Sequence, residues 1–340
     1  MKSNTLDYSK QSHFLTLSLL TLSFDNGKVV KEIGGFMLLE IKGINKSFSG
    51  KQILHDVSFT VTSGKAMGFL GRNGAGKTTT IRTLMDVFKA DSGVFLLDGK
   101  PFEPTQYSVG YLPEERGLYG KEKILDQLIY FATLRGASHK EAKTSAEYWI
   151  ERFGLSYAKN HKLETLSKGN QQKIQIAQTL LNDPEIVILD EPFSGLDPVN
   201  SQILKEVIIE LIEKGKLVIF SSHQMNYVEE FCDEITLIDK GKVVLSGNLK
   251  QIKSDIGRQR LRLTSSNYNN GSLKQFLSTH VKGIEISEDK HSLIIECLNG
   301  KSKHELLEDI VKHNIEIELF SGYEPSLNDI FVSKVGDDHA

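Results

Sequence analysis

Residues 71–78 read GRNGAGKT, a glycine-rich segment that ends in lysine and threonine. The segment matches G-x-x-x-x-G-K-[ST] in full and lies between an apolar, strand-like stretch and a stretch with helical periodicity. Its glycines would let backbone N–H groups close around phosphate oxygens, and the helix N-terminus would add partial positive charge. We expect Lys77 to reach the β- and γ-phosphates of a nucleotide and Thr78 to ligate Mg²⁺. A purely structural glycine turn is the alternative, but strand, glycines, lysine and threonine all agree with phosphate binding. The candidate nucleotide-binding residues of this segment are Gly71, Arg72, Asn73, Gly74, Ala75, Gly76, Lys77, Thr78 and Thr79.

A second, acidic motif follows a strongly apolar stretch. Residues 186–192 read IVILDEP, so four apolar residues are followed directly by Asp190 and Glu191. We expect Asp190 to lie at the end of a buried strand, beside the Mg²⁺ that Thr78 holds. Glu191 is then placed to polarise the attacking water as a general base. An acidic turn without a function is the alternative, and the phosphate loop upstream disfavours it.

The segments that must position these motifs alternate between strand and helix. Residues 38–44 and 53–61 alternate like half-buried strands, and residues 121–181 have almost entirely helical periodicity. Together with further strands and helices up to residue 238, this alternation predicts an α/β fold with a parallel core sheet. Beyond about residue 257, shorter elements follow in the order β-α-β-β-α-β with a final helix, which predicts a small α+β, ferredoxin-like unit.

Three further segments complete a specific order of motifs. They are LSKGNQQK at 166–173, SGLDP at 194–198 and SSH at 221–223. In combination with the two phosphate motifs, this order resembles that of the ATP-binding-cassette (ABC) ATPases over roughly residues 37–250. The resemblance implies a P-loop NTPase cassette with a mixed-sheet core and a helical subdomain at about 113–180.

The same resemblance implies roles for residues outside the two phosphate motifs. Ser167 and Gly169 would contact the γ-phosphate of ATP that is bound to a second cassette, identical or different. His223 matches the family's switch histidine and joins Glu191 as a candidate catalytic residue. Phe48 matches the aromatic residue that stacks on adenine. The resemblance therefore implies ATP and Mg²⁺ as cofactors and a dimer of cassettes.

Two segments depart from the family pattern, at three positions. Lys168 and Asn170 stand where the usual LSGGQ signature has a glycine and its glutamine. The family's glutamine before the helical subdomain is replaced by Glu114. A carboxylate there could still ligate Mg²⁺ or orient water, although it adds negative charge near the γ-phosphate. In the alternative interpretation, Glu114 and Glu115 are solvated loop charges.

Two sequence segments resemble one branch of the family. YLPEERGLY at 111–119 and the signature segment resemble the ATPases of ABC-2-type exporters, including the sodium-export-like ones. That branch carries an appended C-terminal domain, here expected over residues 258–340, and EPSLNDIF at 324–331 resembles its closing motif. The implied partners are ABC-2-type permease subunits, which would hold the ATPase at the cytoplasmic face of the cell membrane. The transported substrate does not touch the ATPase, so these residues do not identify it.

Composition agrees with a cytoplasmic protein and argues against several classes. The 340 residues carry a net charge of −3, whereas a protein that binds duplex nucleic acid is usually basic, so no nucleic-acid partner is expected. The apolar run from Phe14 to Leu22 is about half of a bilayer span. Residues 1–36 are expected to be a dispensable extension that is either disordered or not translated, in which case translation would begin at Met37. A signal peptide is the alternative for this segment, but no small-residue cleavage site follows the run.

Two rival functions within the family remain. One is a soluble ABC ATPase that acts on ribosomes or DNA, although such proteins usually carry two cassettes or long insertions. The other is a catalytically inactive regulatory cassette, which the intact Lys77, Asp190, Glu191 and His223 disfavour.

Overall fold

The computed structural model describes residues 36–115, 117–289 and 291–335, together with the backbone of two short strands near the N-terminus. These strands are β1 (Phe24–Asp25) and β2 (Lys28–Val29), which pair antiparallel. The predictions for the extension at residues 1–36 otherwise lie outside the described residues.

A six-stranded sheet forms the centre of the first domain, in the order β12-β11-β5-β10-β9-β8. Its strand pairs are parallel except for β11 with β12, which is antiparallel. Every residue of β5, β9 and β10 is buried. Since these three strands are neighbours, the segments that follow them meet at one edge of the sheet. The strands are β5 (Ala66–Leu70), β8 (Val109–Leu112), β9 (Ile186–Asp190), β10 (Leu217–Ser222), β11 (Glu234–Asp239) and β12 (Lys242–Asn248).

An antiparallel sheet in the order β4-β3-β6-β7 covers one face of the central sheet. Side chains alternate along the central strands, so Met67 and Phe69 pack toward this second sheet while Ala66 and Leu70 pack toward helices. The mixed-sheet core expected for the fold is therefore confirmed. The strands of the second sheet are β3 (Leu38–Phe48), β4 (Lys51–Thr62), β6 (Ser92–Leu97) and β7 (Lys100–Pro101).

Helices cover the opposite face and form the expected helical region. A capping box, in which the Ser138 hydroxyl accepts from the Glu141 N–H and Glu141 accepts from the Ser138 N–H, fixes the start of α3. Ser167 is the N-cap of α4, where its hydroxyl accepts from the Asn170 N–H. The helices of this domain are α1 (Lys77–Leu84), α2 (Ile124–Leu134), α3 (His139–Arg152), α4 (Lys168–Leu180), α5 (Pro198–Glu213) and α6 (Met225–Phe231).

The C-terminal elements form a further four-stranded sheet, smaller than the central one, with its own apolar core. Its strand order is β14-β15-β13-β16, and all its pairs are antiparallel. This order is that of a β-α-β-β-α-β unit, so the ferredoxin-like arrangement is confirmed. Its elements are α7 (Leu249–Gly257), which leads into it, β13 (Arg260–Ser265), α8 (Asn270–His280), β14 (Ile284–Asp289), β15 (Ser292–Cys297), α9 (Lys303–Lys312) and β16 (Ile317–Gly322).

The final helix, α10 (Leu327–Val335), packs against α6 of the first domain. Leu327 and Val335 belong to the buried core of the first domain, and Phe331 packs against that core. The apolar stripe of α10 at i, i+4 and i+8 packs against α6 of the first domain, and the separate domain expected over residues 258–340 stays a prediction. Among the described residues, no helix combines the length and the apolar character needed to cross a bilayer.

Candidate nucleotide-binding site

The glycine-rich segment turns from β5 into α1 and lines a cavity of about 250 Å³. Gly76 has φ 112°, a left-handed conformation that favours glycine. A Cβ atom on Gly71 would lie 2.5 Å from the carbonyl oxygen of Ile238, so this position tolerates no side chain. The loop can therefore keep its backbone close to a ligand. The residues that line the cavity are Arg72, Asn73, Gly74, Gly76, Lys77, Thr78, Thr79, Glu114 and Glu191.

The Lys77 ammonium is buried at the base of this cavity. It donates to the carbonyl oxygen of Gly71 at 2.7 Å and lies 3.4 Å from that of Arg72. Its anionic partner is Glu191, whose Oε1 lies 3.2 Å from Nζ. The loop thus concentrates one positive charge where the sequence predicts phosphate, and a carboxylate of the same site neutralises that charge.

Asp190 lies at the end of β9, opposite Ser221 of the neighbouring strand β10. The Ser221 hydroxyl donates to Asp190 Oδ1 and accepts from the backbone N–H of Glu191 at 3.1 Å. Burial raises the pKa of Asp190, and hydrogen bonds from Ser221 and Thr78 oppose that rise. Sequence reasoning assigned no role to Ser221, because its contact with Asp190 depends on the register of two strands that are distant in sequence.

The residues present fit a magnesium ion. Asp190 is fully buried, and its Oδ2 has no hydrogen-bond partner among the described residues. A buried carboxylate oxygen without a hydrogen-bond partner, on a side chain that also interacts with Thr78, offers a hard oxygen ligand. The described residues contain no group of three or more His, Cys, Asp or Glu side chains that could hold a metal. Mg²⁺ does not require one, since it usually takes one or two carboxylates together with phosphate and water.

Glu191 is held from two sides. His223 Nδ1 lies 2.8 Å from Glu191 Oε2, and Lys77 Nζ lies 3.2 Å from Glu191 Oε1. Glu191 also has φ 52°, a conformation that costs a non-glycine residue roughly 1–2 kcal/mol. A strained backbone that directs a buried carboxylate toward a cavity is a common feature of functional sites. The structure therefore brings together Lys77, Glu191 and His223, as the motif order predicts.

The segment around Glu114 has two different environments. Glu114 is exposed and lines the cavity, so the hypothesis that it contributes to the metal site stays open. Glu115 points to Arg82, with 3.4 Å between the charged atoms, and its side chain is 85% exposed. Glu115 is thus a solvated loop charge, as in the alternative interpretation. Arg116 lies outside the described residues.

Ser167, Gly169 and Phe48 do not line the cavity. The Ser167 hydroxyl accepts from the Asn170 N–H at 3.3 Å, and a Cβ on Gly169 would meet the carbonyl oxygen of Gly195 at 3.2 Å. The signature segment therefore packs on the SGLDP loop of its own chain, and its role at a second cassette stays a prediction. Phe48 keeps 39% of its surface exposed and packs edge-to-face on Phe88, with 5.1 Å between ring centroids. Stacking of Phe48 on adenine also stays a prediction.

Comparisons with known proteins agree with this geometry. The family model described as "ABC transporter" matches residues 54–194, and the model "ATP-binding protein DrrA1-3-like, C-terminal domain" matches residues 247–335. The uncharacterized ABC transporter ATP-binding protein YhaQ of Bacillus subtilis is 39% identical over 300 residues, which cover 88% of this chain and 99% of that protein. The linearmycin resistance ATP-binding protein LnrL of the same organism is 31% identical over 306 residues, covering 88% and 98%. A solved ATP-binding subunit of an ABC transporter superposes with a TM-score of 0.60 at 28% identity, covering 71% of this chain and 99% of its own.

Proposed function

Since the chain belongs to the ATP-binding subunits of ABC transporters, ATPases coupled to transport, we propose that it energises an exporter with ABC-2-type permease subunits. The observation that carries the catalytic part is the Glu191 carboxylate, which is held between Lys77 and His223 beside the cavity. The export direction is supported by the similarity to a resistance protein and by the DrrA-like C-terminal domain.

The proposed hydrolysis uses residues that already contact one another. When the phosphates of ATP approach, Lys77 exchanges Glu191 for phosphate oxygens, which leaves Glu191 Oε1 free to accept a proton from water. His223 donates from Nδ1 to the other oxygen and keeps the carboxylate directed at the cavity. Thr78 and Asp190, with Glu114 as the further candidate, would hold Mg²⁺. When bound, Mg²⁺ neutralises charge on the β- and γ-phosphates.

Members of this family dimerise, and the proposed closed state uses that property. The start of α4 offers backbone N–H groups and the Ser167 hydroxyl, which form a ready-made anion site at a helix N-terminus. Placed against the γ-phosphate in a second cassette, this end of α4 would close the solvent side of the cavity. ATP would then join two cassettes, and hydrolysis would release them.

The proposed contact with the permease lies near the 111–119 segment. A cavity of about 250 Å³ lies between this segment and the helices α2 and α4. Permease binding there would place the chain at the cytoplasmic face of the membrane. The lining residues are Tyr111, Leu112, Pro113, Gly117, Leu118, Phe131, Gln175 and Gln178.

Two measurements test the proposal. Purified protein should hydrolyse ATP only with Mg²⁺, and Glu191→Gln should lower kcat by about 10²–10⁴-fold, as expected for loss of a general base. Wild-type-like hydrolysis by Glu191→Gln would refute the assigned base, and strong stimulation by DNA or ribosomes would favour the soluble ABC ATPases instead. Leu118→Asp should abolish export from cells while leaving the hydrolysis rate of the isolated subunit unchanged. Val311→Asp, at an exposed apolar position of α9, is the matched control and should affect neither.

A further inference from the structure

The helix α10 is anchored beside the candidate nucleotide site. It packs against α6, which begins two residues after His223. At its first turn, the backbone N–H of Leu327 donates to the Glu229 carboxylate at 3.1 Å. A carboxylate at a helix N-terminus is stabilising because it neutralises the unpaired N–H groups there. Lys253, which pairs with Glu229, also lies 3.3 Å from Glu324.

On its exposed side, α10 contacts the glycine-rich loop through the Phe331 ring. The guanidinium carbon of Arg72 lies 5.6 Å from the centroid of the Phe331 ring. This distance is within the range of a cation–π contact. Arg72 lines the nucleotide cavity, and its carbonyl oxygen accepts from the N–H of Ala75 at 3.1 Å. The last helix therefore touches a residue that forms part of the loop expected to bind phosphate.

We propose that Phe331 is a positioning residue for nucleotide binding: its ring holds the Arg72 guanidinium beside the cavity, so that α10 completes the phosphate loop. This inference rests on the proposed binding of nucleotide in that cavity. An exposed arginine has many rotamers, and a fixed aromatic face reduces that freedom before the ligand arrives. Held there, the Arg72 charge adds to that of Lys77 in attracting a polyphosphate.

The contact can be separated from the packing of the helix. Leu327 and Val335 are buried in the core of the first domain and hold α10 there, whereas Phe331 is only half-buried. Phe331→Leu should thus keep the helix in place and remove only the aromatic face. Val332→Ala, at the next position of α10 and largely exposed, is the matched control.

The test is a double-mutant cycle in the full chain, with the Kd for Mg·ADP and the KM and kcat for ATP as readouts. Phe331→Leu should raise Kd and KM about two- to fivefold, as expected for a cation–π contact at an exposed site, and leave kcat unchanged. Phe331→Tyr should restore both values. In an Arg72→Gln background, Phe331→Leu should have no further effect.

Three results would overturn the inference. They are an unchanged Kd in Phe331→Leu, an equal effect of Phe331→Leu with and without Arg72, and a fall of kcat at constant KM. The ring would serve packing alone if Phe331→Leu lowered the melting temperature, Phe331→Tyr did not, and the effects of Phe331→Leu and Arg72→Gln on the binding free energy were additive. Failure of the wild-type protein to bind Mg·ADP would instead refute the proposed function.

Discussion

Replacing Glu191 with glutamine removes the carboxylate that lies 3.2 Å from the Lys77 ammonium, in a pair whose side chains are only 6% and 8% exposed. In the proposed cycle, this is the contact that Lys77 must give up when phosphate binds. The variant should therefore bind nucleotide more tightly than the wild type, even though it hydrolyses ATP far more slowly.

The size of the effect follows from the geometry of the pair. At 3.2 Å and an effective dielectric constant of about 20, the Coulomb attraction is about 5 kcal/mol. Desolvation of the two charges cancels much of that attraction, and the neutral glutamine amide would keep a weaker dipolar attraction to Lys77. We expect a net gain of about 1–2 kcal/mol, which is a Kd about 5–30-fold lower.

Calorimetric titration with Mg·ADP measures this gain, because ADP lacks the γ-phosphate that is proposed to join two cassettes. Glu115→Gln is the matched control: it removes one negative charge from the neighbouring loop, where the carboxylate pairs with Arg82 and is 85% exposed. That variant should change the Kd less than twofold. If Glu191→Gln binds Mg·ADP no more tightly than the wild type, nucleotide does not displace this ion pair.

Three further predictions concern the same site. Lys77→Ala should weaken Mg·ADP binding about 10–100-fold, since a charge-assisted hydrogen bond is lost, and calorimetry with undiminished affinity would contradict that role. Asp190→Asn should raise the melting temperature of the free protein by a few degrees at pH 7.5. Because burial raises the pKa of Asp190, the folded protein binds this proton more tightly than the unfolded chain. The difference in melting temperature between variant and wild type should therefore vanish as pH falls through the raised pKa of Asp190. A lower melting temperature for the variant at pH 7.5 would contradict this prediction. Gly71→Ala should destabilise the protein by about 1–3 kcal/mol in urea unfolding, because the new Cβ would lie 2.5 Å from the Ile238 carbonyl oxygen. Gly117→Ala is the control and should be neutral, because no atom lies within 4 Å of its Cβ position. Equal effects of the two substitutions would disprove the close approach at Gly71.

The phosphate loop and the acidic motif could be predicted from sequence because their chemistry is encoded in short, local patterns. The parallel sheet brings these motifs together with His223, since all three follow neighbouring buried strands. The link through Ser221 could not be predicted in the same way. It exists because Ser221 of β10 is in register with Asp190 of β9, and strand register is set by packing over the whole sheet.

The position of α10 is a second feature that the sequence alone does not predict. The sequence 324–331 resembles the closing motif of an appended domain, and the apolar stripe at Leu327, Phe331 and Val335 predicts that one face is covered. A stripe does not specify the surface that covers it. Here the charge pairing at Glu229 and the apolar surface of α6 attract the helix to the first domain.

The return of α10 has a consequence for protein synthesis. The core of the first domain contains Leu327 and Val335, although its last strand ends at Asn248. A ribosome that adds 5–20 residues per second needs about 4–17 s to pass from Asn248 to Val335. During that interval the apolar surface of α6 stays open, and chaperones can bind it. A chain that terminates before residue 327 would keep that surface exposed, which would make it a target for proteases.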